Sequence, residues 1–154
     1  MYTITKQFQF SAAHRLTQVP DGHPCGRLHG HNYIVEMVLR SADLTAQQWV
    51  RDYGELDVVK EFIANNWDHH NLNDWFKEYL HDLETTTLGL KRRTQQPMRN
   101  WFEANAGSYP GRIETTAEQL AFVMFDQFKV LFPELVAVRV SETPKTWAEY
   151  RHDD

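Results

Sequence analysis

The stretch CGRLHGHNYIVEMVL, residues 25–39, decides the fold because apolar side chains recur at every second position of its second half. Successive side chains of a β-strand point to opposite faces, so this alternation predicts a half-buried strand over about residues 29–40. His29 and His31 are in phase with the apolar positions. These positions are Tyr33, Val35, Met37 and Leu39. We therefore expect a strand whose apolar face begins with two histidines.

A second alternating segment lies near the N-terminus, within residues 3–10. One face of that strand would carry Ile4, Lys6, Phe8 and Phe10. Continued at the same period, this face also includes Ala12 and His14. A loop rich in proline and glycine then leads to the strand at residues 29–40. The arrangement predicts two neighbouring strands, with His14 at the end of the first one.

Two later segments have the pattern of helix starts. Asp52 with Glu55, and Thr115 with Glu118, place a capping residue three positions before a glutamate, as in a capping box. Apolar residues at helical spacing follow the first start at Leu56, Val59 and Phe62 or Ile63. The stripe after the second start consists of Leu120, Met124, Phe128 and Leu131, and Pro133 would close the helix.

The segment LVAVRVSE, residues 135–142, predicts a third strand with Val136, Val138 and Val140 on one face and Glu142 in phase with them. Residues 75–83 could form a short helix, and the rest of the stretch up to residue 112 has no clear period. Strands separated by helices indicate an α+β fold with an antiparallel sheet. We expect one domain over residues 1–154, with an insertion at about residues 75–112.

Composition excludes several classes of protein. The 154 residues are 42% hydrophobic and 24% charged, which is typical of a globular domain. The net charge of −5 makes nucleic acid an unexpected partner, although Lys91-Arg92-Arg93 forms one short basic run. No apolar run predicts a membrane span, and the first residues do not resemble a signal peptide. A single cysteine, Cys25, suits a reducing compartment, so we expect a cytoplasmic protein.

The three in-phase histidines predict a metal site. His29 and His31 can converge on one ion because residues two apart share a strand face, and His14 can supply a third imidazole from the neighbouring strand. Three neutral imidazoles with a fourth position open are the ligand pattern of catalytic zinc. The alternative is that the histidines are unrelated and two of them simply lie in a glycine-containing loop.

Cys25 is open to three interpretations. It could be a fourth zinc ligand that closes a structural site, a reactive thiolate whose pKa is lowered by a nearby cation, or an inert thiol. An inert cysteine usually lies in an apolar element, whereas Cys25 lies in a polar turn between Pro24 and Gly26.

Two acidic positions are also candidates. Asp68 precedes His69, and a carboxylate beside a histidine can orient the ring for proton transfer; the alternative is a solvated helix end. Glu142 continues an apolar strand face, where a carboxylate needs a partner such as a guanidine-like group with paired N–H donors. The alternative is that Glu142 lies just past the strand end, in water.

The order of five motifs resembles the 6-pyruvoyl-tetrahydropterin synthase family. The motifs are FSAAHRL (10–16), CGRLHGHNY (25–33), DHHNL (68–72), the T-x-E helix start (116–118) and VSET (140–143). The resemblance covers nearly the whole chain apart from roughly residues 75–112. The cysteine-to-HGH spacing is similar to that of the bacterial 6-carboxy-5,6,7,8-tetrahydropterin synthase branch, on the queuosine route. In the animal pyruvoyl-forming enzymes the cysteine lies further from HGH.

The resemblance implies a tunnelling fold, in which a four-stranded antiparallel sheet carries two helices on one face. Subunits join their sheets into a barrel, and barrels stack into a homo-oligomer, commonly a hexamer formed as a dimer of trimers. The implied zinc ligands are His14, His29 and His31. The implied catalytic residues are Cys25, Asp68, His69 and Glu142, with Glu142 anchoring the pterin. The implied substrate contacts also include Thr116 and Arg27.

The resemblance further implies a zinc-dependent lyase that converts 7,8-dihydroneopterin triphosphate to 6-carboxy-5,6,7,8-tetrahydropterin, acetaldehyde and triphosphate. Candidate cations for the triphosphate are Arg15, Arg27 and Lys91-Arg92-Arg93. The helix start departs from the family's usual Pro-Thr-x-Glu-Asn, and capping alone explains Glu118. Two alternatives stay open: the sister chemistry, with 6-pyruvoyl-tetrahydropterin or an aldolase product, and a non-catalytic pterin-binding protein in which Cys25 is the fourth zinc ligand.

Overall fold

A computed structural model describes residues 1–85 and 114–152, with side chains for all of these except residues 80–85. Four strands form one sheet in the order β1-β2-β3-β4, and each neighbouring pair is antiparallel. They are β1 (Tyr2–His14), β2 (His29–Ser41), β3 (Leu135–Thr143) and β4 (Thr146–Arg151). The four-stranded antiparallel sheet of the tunnelling fold is thus confirmed. Residue periodicity predicted the first three strands and missed β4, a short edge strand.

Three α-helices lie within the described residues: α1 (Asp57–Asn66), α2 (Leu72–Thr85) and α3 (Ala117–Lys129). Their apolar faces form one continuous core with the inner face of the sheet. The short helix predicted at residues 75–83 is confirmed and extends further in both directions. The family resemblance implied two helices. The described part of the chain has three, because α1 ends at Asn66 and a separate helix, α2, begins at Leu72. The remainder of the predicted insertion, including Lys91-Arg92-Arg93, lies outside the described residues.

The predicted strand phases of β1 and β2 are confirmed. Phe8 pairs with Val35 and Phe10 with Tyr33 across the two strands, and all four side chains are buried. The Phe10 and Tyr33 rings stack at a centroid distance of 4.8 Å. Burial of such side chains is worth about 1.5–3 kcal/mol each, which fixes the register of the hairpin. The same register fixes the faces of the histidines at the hairpin's open end.

The predicted cap of the second long helix, α3, is wrong by one residue. The N-cap is Thr116, whose hydroxyl accepts a hydrogen bond from the backbone N–H of Gln119 at 3.4 Å. Thr115 is fully buried instead and faces His14. The predicted stripe also ends early, because α3 stops at Lys129; Leu131 is 52% exposed and Phe132 enters the core in its place.

Two smaller expectations are also corrected. Asp52 caps a 3-10 turn, Tyr53–Leu56, by accepting from the Gly54 N–H at 2.8 Å, and α1 begins after that turn. In β3, Val136 is only half-buried, because the register shifts where Leu135 pairs with Leu39 and Ala137 with Val38. Val136 is the extra residue of a bulge, which turns its side chain away from the core.

The outer face of the sheet is polar. Glu36 accepts a hydrogen bond from Gln7 at 2.6 Å and pairs with Arg139 at 3.4 Å, and Arg139 also pairs with Glu149 at 2.5 Å. One face of the sheet therefore carries the core and the other carries cross-strand polar pairs. In the described parts of the chain, no helix is both long enough and apolar enough to cross a membrane.

Candidate metal and ligand site

Three histidines converge at the open end of the β1–β2 hairpin. His14 and His29 are direct cross-strand partners, and His31 lies two residues further along the same face of β2. One potential ligand atom from each of the three rings lies within 4.8 Å of the other two. The ring centroids are 4.7–5.1 Å apart. This spacing leaves room for one ion bound by all three rings.

The ring of His14 is held in one orientation. Its Nδ1 lies 2.7 Å from the carbonyl oxygen of Thr115 and 3.1 Å from the Thr115 hydroxyl, so Nδ1–H donates to the carbonyl. The lone pair is then on Nε2, which is buried and has no hydrogen-bond partner among the described residues. A buried nitrogen without a partner costs free energy unless something binds it. The unpaired Nε2 fits a metal ligand.

His29 is oriented in the same way. Its Nδ1 lies 2.7 Å from the carbonyl oxygen of Arg27, two residues earlier in the chain. Backbone carbonyls that accept the Nδ1 proton fix the tautomer whose Nε2 binds metal, an arrangement common around zinc. The two oriented rings and His31 form a donor set that suits zinc among the common divalent ions.

Burial favours the metal-binding, neutral form of His14 and His31. It lowers the pKa of His14, despite an opposing effect of the Thr115 hydrogen bond. Burial also lowers the pKa of His31, as does the neighbouring His29. A lower pKa favours the neutral ring, and only the neutral ring can coordinate an ion.

Glu142 lies next to the triad, at the end of β3. Its Oε1 is 4.0 Å from Nε2 of His14, and its side chain is 26% exposed. Burial raises the pKa of this carboxyl, and the charge of Glu118 adds to the effect. Within residues 1–85 and 114–152, no lysine or arginine pairs with it. A partly desolvated carboxylate of this kind suits a ligand that carries N–H donors.

Tyr33 was missed as a site residue. It is fully buried, its ring lies 5.6 Å from that of His31, and its hydroxyl has no hydrogen-bond partner in the described part of the chain. Burial and the charge of Glu142 raise its pKa, so the phenol stays protonated. Tyr33, His31, Asp68 and Glu142 line one cleft of 610 Å³. The in-phase position of Tyr33, two residues after His31, was a signal in the sequence.

The segment that contains Asp68 and His69 is attached to the edge of β1 by its backbone. Asp68 Oδ1 accepts from the Ser11 N–H at 3.0 Å, and the His69 N–H donates to the Ser11 carbonyl at 2.7 Å. The His69 side chain is 82% exposed, and its Nε2 lies 3.8 Å from Asp68 Oδ2, beyond hydrogen-bond range. His69 also has a φ of 59°, a conformation that is uncommon outside glycine.

Cys25 lies in a 3-10 turn, Pro24–Gly26, and its thiol is free and half-buried. Its N–H donates to His23 Nδ1 at 3.1 Å, and its carbonyl accepts from the Leu16 N–H at 2.8 Å. Cys25 does not belong to the histidine cluster. Within residues 1–85 and 114–152, no hydrogen bond or ion pair joins Cys25 to Asp68 or His69. Cys25 and His69, which the resemblance implies as catalytic residues, are thus not paired within the described part of one chain.

The two other expected substrate contacts, Thr116 and Arg27, have structural roles of their own. Thr116 caps α3, and the carbonyl of Arg27 orients His29. Thr115 was missed as the residue that orients His14, from 101 positions away in the chain. No local pattern in the sequence could indicate so distant a pairing.

Comparison with known families and proteins gives one consistent result. A sequence model described as 6-pyruvoyl tetrahydropterin synthase matches residues 3–153. A curated protein of Haemophilus influenzae, named 6-carboxy-5,6,7,8-tetrahydropterin synthase, is 29% identical over 98% of this chain and 99% of its own length. A protein of the same name from Bacillus subtilis is 25% identical over 97% of this chain and 85% of its own length.

Solved structures show the same fold. The structure of Caenorhabditis elegans 6-pyruvoyl tetrahydropterin synthase matches with a TM-score of 0.66 at 23% identity, covering 99% of this chain and 96% of the other. An uncharacterized protein from Wolinella succinogenes, WS1659, matches with a TM-score of 0.66 at 22% identity, covering 99% and 98% of the two chains. At these identities the structures support the fold alone.

Proposed function

The chain belongs to the 6-pyruvoyl tetrahydropterin synthase family, and from that premise we propose that it is a zinc-dependent 6-carboxy-5,6,7,8-tetrahydropterin synthase. The resemblance indicated by the five motifs is confirmed at the level of the family. The expectation of an enzyme is supported by curated relatives that are named as synthases and align along nearly the whole chain. The proposed substrate is 7,8-dihydroneopterin triphosphate, and the proposed pathway is queuosine biosynthesis.

One observation carries the proposal: the unpaired Nε2 of His14 and the carboxylate of Glu142 lie 4.0 Å apart at one end of the sheet. His14, His29 and His31 would hold zinc, which when bound would supply Lewis-acid stabilisation of negative charge on the substrate's side-chain oxygens. Glu142 would bind the guanidine-like edge of the pterin through paired hydrogen bonds. The zinc site and Glu142 are close enough to contact the same small molecule.

Cys25 is the proposed general base. As a thiolate it would accept a proton from the side chain of the substrate, and His69 would exchange that proton with solvent. Asp68 holds the His69 segment against β1 through Ser11. Cleavage of the side chain, with loss of triphosphate and uptake of one water, would give 6-carboxy-5,6,7,8-tetrahydropterin and acetaldehyde.

No hydrogen bond or ion pair joins Cys25 to His69 among the described residues, which supports a homo-oligomer in which the two meet across chains. In the proposed assembly sheets join edge to edge at β1 and β4, and the exposed ring of His69 would face the Cys25 turn of a neighbouring chain. A hexamer built as a dimer of trimers is the assembly that we propose. The proposed location is the cytoplasm, in keeping with one free cysteine.

Product analysis tests the proposal directly. Zinc-loaded protein is incubated with 7,8-dihydroneopterin triphosphate, with Cys25→Ala as the matched control. We expect acetaldehyde and a 6-carboxy pterin in equal amounts from the wild type and neither from the variant. A 6-pyruvoyl product would replace this assignment by the sister chemistry. Tight binding of pterin without any turnover would favour the non-catalytic alternative.

A further inference from the structure

A second cleft lies beside the triad, distinct from the cleft that Tyr33 and Glu142 line. It has a volume of 460 Å³ and is formed by the loop between β1 and β2. Arg15, which directly follows His14, and Arg27, two residues before His29, both line it. Because His14 and His29 are cross-strand partners, both arginines lie at the same open end of the hairpin.

Both guanidinium groups are unpaired within the described residues. Neither the Arg15 nor the Arg27 side chain makes a hydrogen bond or an ion pair with any residue of 1–85 or 114–152. By contrast, Arg51 pairs with Glu134 at 2.9 Å. Arg139 and Arg151 both pair with Glu149, at 2.5 and 2.7 Å. Two such arginines line one cleft of a chain whose net charge is −5. Asp21 is the one carboxylate among the residues that line the cleft.

The backbone around the two arginines is braced. The N–H and the carbonyl of Arg15 both bond to the side chain of Asn73, at 2.8 Å each. The Leu16 N–H donates to the Cys25 carbonyl at 2.8 Å, so the two ends of the loop are tied together. A loop fixed in this way loses little entropy when a ligand binds.

A third brace comes from the opposite side of the loop. The N–H and the hydroxyl of Thr17 both donate to the carboxylate of Glu114, at 2.6–3.0 Å. The Glu114 carboxylate next to the cleft is therefore already hydrogen-bonded to Thr17. The cleft therefore has a hydrogen-bonded backbone and two unpaired, planar guanidinium groups. Guanidinium is the side-chain group whose geometry best matches phosphate oxygens.

We propose that Arg15 and Arg27 bind the phosphate chain of the ligand whose other end reaches the histidine triad. This inference rests on the proposed function for the identity of the ligand, a pterin with an oligophosphate tail. It assigns that tail to the cleft at the β1–β2 loop, next to the turn that holds Cys25. The two ends of the substrate would then be recognised by different charges: the carboxylate of Glu142 for the pterin and the two arginines for the phosphates.

The test uses inorganic triphosphate as the probe, titrated calorimetrically into the zinc-loaded protein. Zinc content is measured before and after, because oligophosphates bind zinc. We expect the double variant Arg15→Ala/Arg27→Ala to raise the Kd for triphosphate about a hundredfold, since removing each charge-assisted hydrogen-bonding group costs about tenfold in affinity. Both side chains are exposed, so the variant should melt at the same temperature as the wild type.

Arg40→Ala is the matched control. Arg40 is exposed, unpaired in the described residues and located near the opposite end of β2. We expect its Kd for triphosphate to stay within twofold of the wild-type value. The inference is overturned if the wild type does not bind triphosphate, if the double variant binds it as well as the wild type, or if Arg40→Ala weakens binding equally.

A second measurement separates this inference from the proposed function. In the turnover assay, the double variant should raise KM for 7,8-dihydroneopterin triphosphate while its Kd for unphosphorylated 7,8-dihydroneopterin is unchanged. Loss of affinity for both pterins would overturn the phosphate assignment. If the wild type forms no carboxy pterin but its triphosphate binding still depends on Arg15 and Arg27, the proposed function fails and the anion site stands.

Discussion

The histidine triad and the Asp68-His69 segment both depend on β1, yet they are built in opposite ways. In the triad, His14 is buried and its ring is fixed by the Thr115 carbonyl, so that the side chain is ready for a ligand. In the segment, the backbone of His69 is fixed to Ser11 while its ring is 82% exposed. The three candidate metal ligands therefore meet within one chain, whereas the proposed proton-transfer group is presented to its surroundings.

The largest effect is expected from removing a triad ring. His29→Ala should lower zinc affinity by more than about a hundredfold, since even the loss of a residue that only orients a ligand costs about 10–100-fold. Turnover should fall with it. Metal analysis after dialysis checks the result, with His70→Ala as the control, because His70 is exposed and outside the cluster. Full zinc retention in His29→Ala would contradict the triad.

The next largest effect is expected on kcat, from substitutions of Cys25 and of the exposed His69. Cys25→Ala and His69→Ala should each lower kcat by about 10²–10⁴-fold, the usual contribution of a general acid–base group, and leave zinc in place. If His69 acts on a neighbouring chain, mixing the two inactive variants during reassembly should restore part of the activity. The mixture is compared with each variant reassembled alone. No recovery would show that the two residues do not complement each other across chains, and loss of zinc in Cys25→Ala would make the cysteine a ligand.

The pH dependence of the metal-free protein tests the burial of the triad. The folded-state pKa values of His14 and His31 lie below the usual 6.5. Below pH 6.5 the unfolded chain therefore binds protons that the folded chain does not, and the free energy of unfolding should fall as pH falls from 6.5 to the folded-state values.

Glu142 changes the free energy of unfolding in the opposite direction. Its pKa is raised in the folded state, so its protonation adds stability as pH falls. The urea titrations are therefore done in the Glu142→Gln background. A free energy of unfolding that does not change between pH 7 and pH 5 would contradict the burial of the two rings.

The smallest effect separates the two roles of Asp68. Asp68→Ala should destabilise the protein by about 1 kcal/mol, because the Ser11 N–H loses its acceptor. Asp68→Asn keeps an oxygen in that position and should retain most of the stability while removing the charge beside His69. Chemical denaturation and kcat are measured on both variants. Equal stability of the two variants would show that the bond to Ser11 contributes little.

Strand periodicity was sufficient to predict that the three histidines converge, because all three obey one rule. The shared face follows from the alternation of β1 and β2. The register that makes His14 and His29 direct cross-strand partners is seen only in the structure. The same rule failed in β3, where a bulge removes Val136 from the core. It also missed β4, in which Ala148 and Tyr150 are the only residues that turn inwards.

The residues that orient the site could not be predicted from local patterns. Thr115 fits the pattern of a helix cap in the sequence, but burial against His14 moves the cap to Thr116. The position of His69 relative to Cys25 also depends on tertiary structure. Cys25 lies in a 3-10 turn, whereas His69 is held at the edge of β1 by a backbone bond to Ser11. A family resemblance names such residues, whereas the folding of the chain decides which of them meet within one subunit.

The bond between His14 and Thr115 has a consequence for how this chain tolerates insertions. It joins positions 101 residues apart, and the adjacent bond between Thr17 and Glu114 joins positions 97 apart. Doubling the length of a flexible loop costs only about 0.6 kcal/mol of closure entropy. The two bonds hold residues 114 and 115 against the end of β1 and the loop after it, whatever the length of the stretch that precedes them. The two anchors would keep the histidine triad and the cleft in place while that stretch diverged.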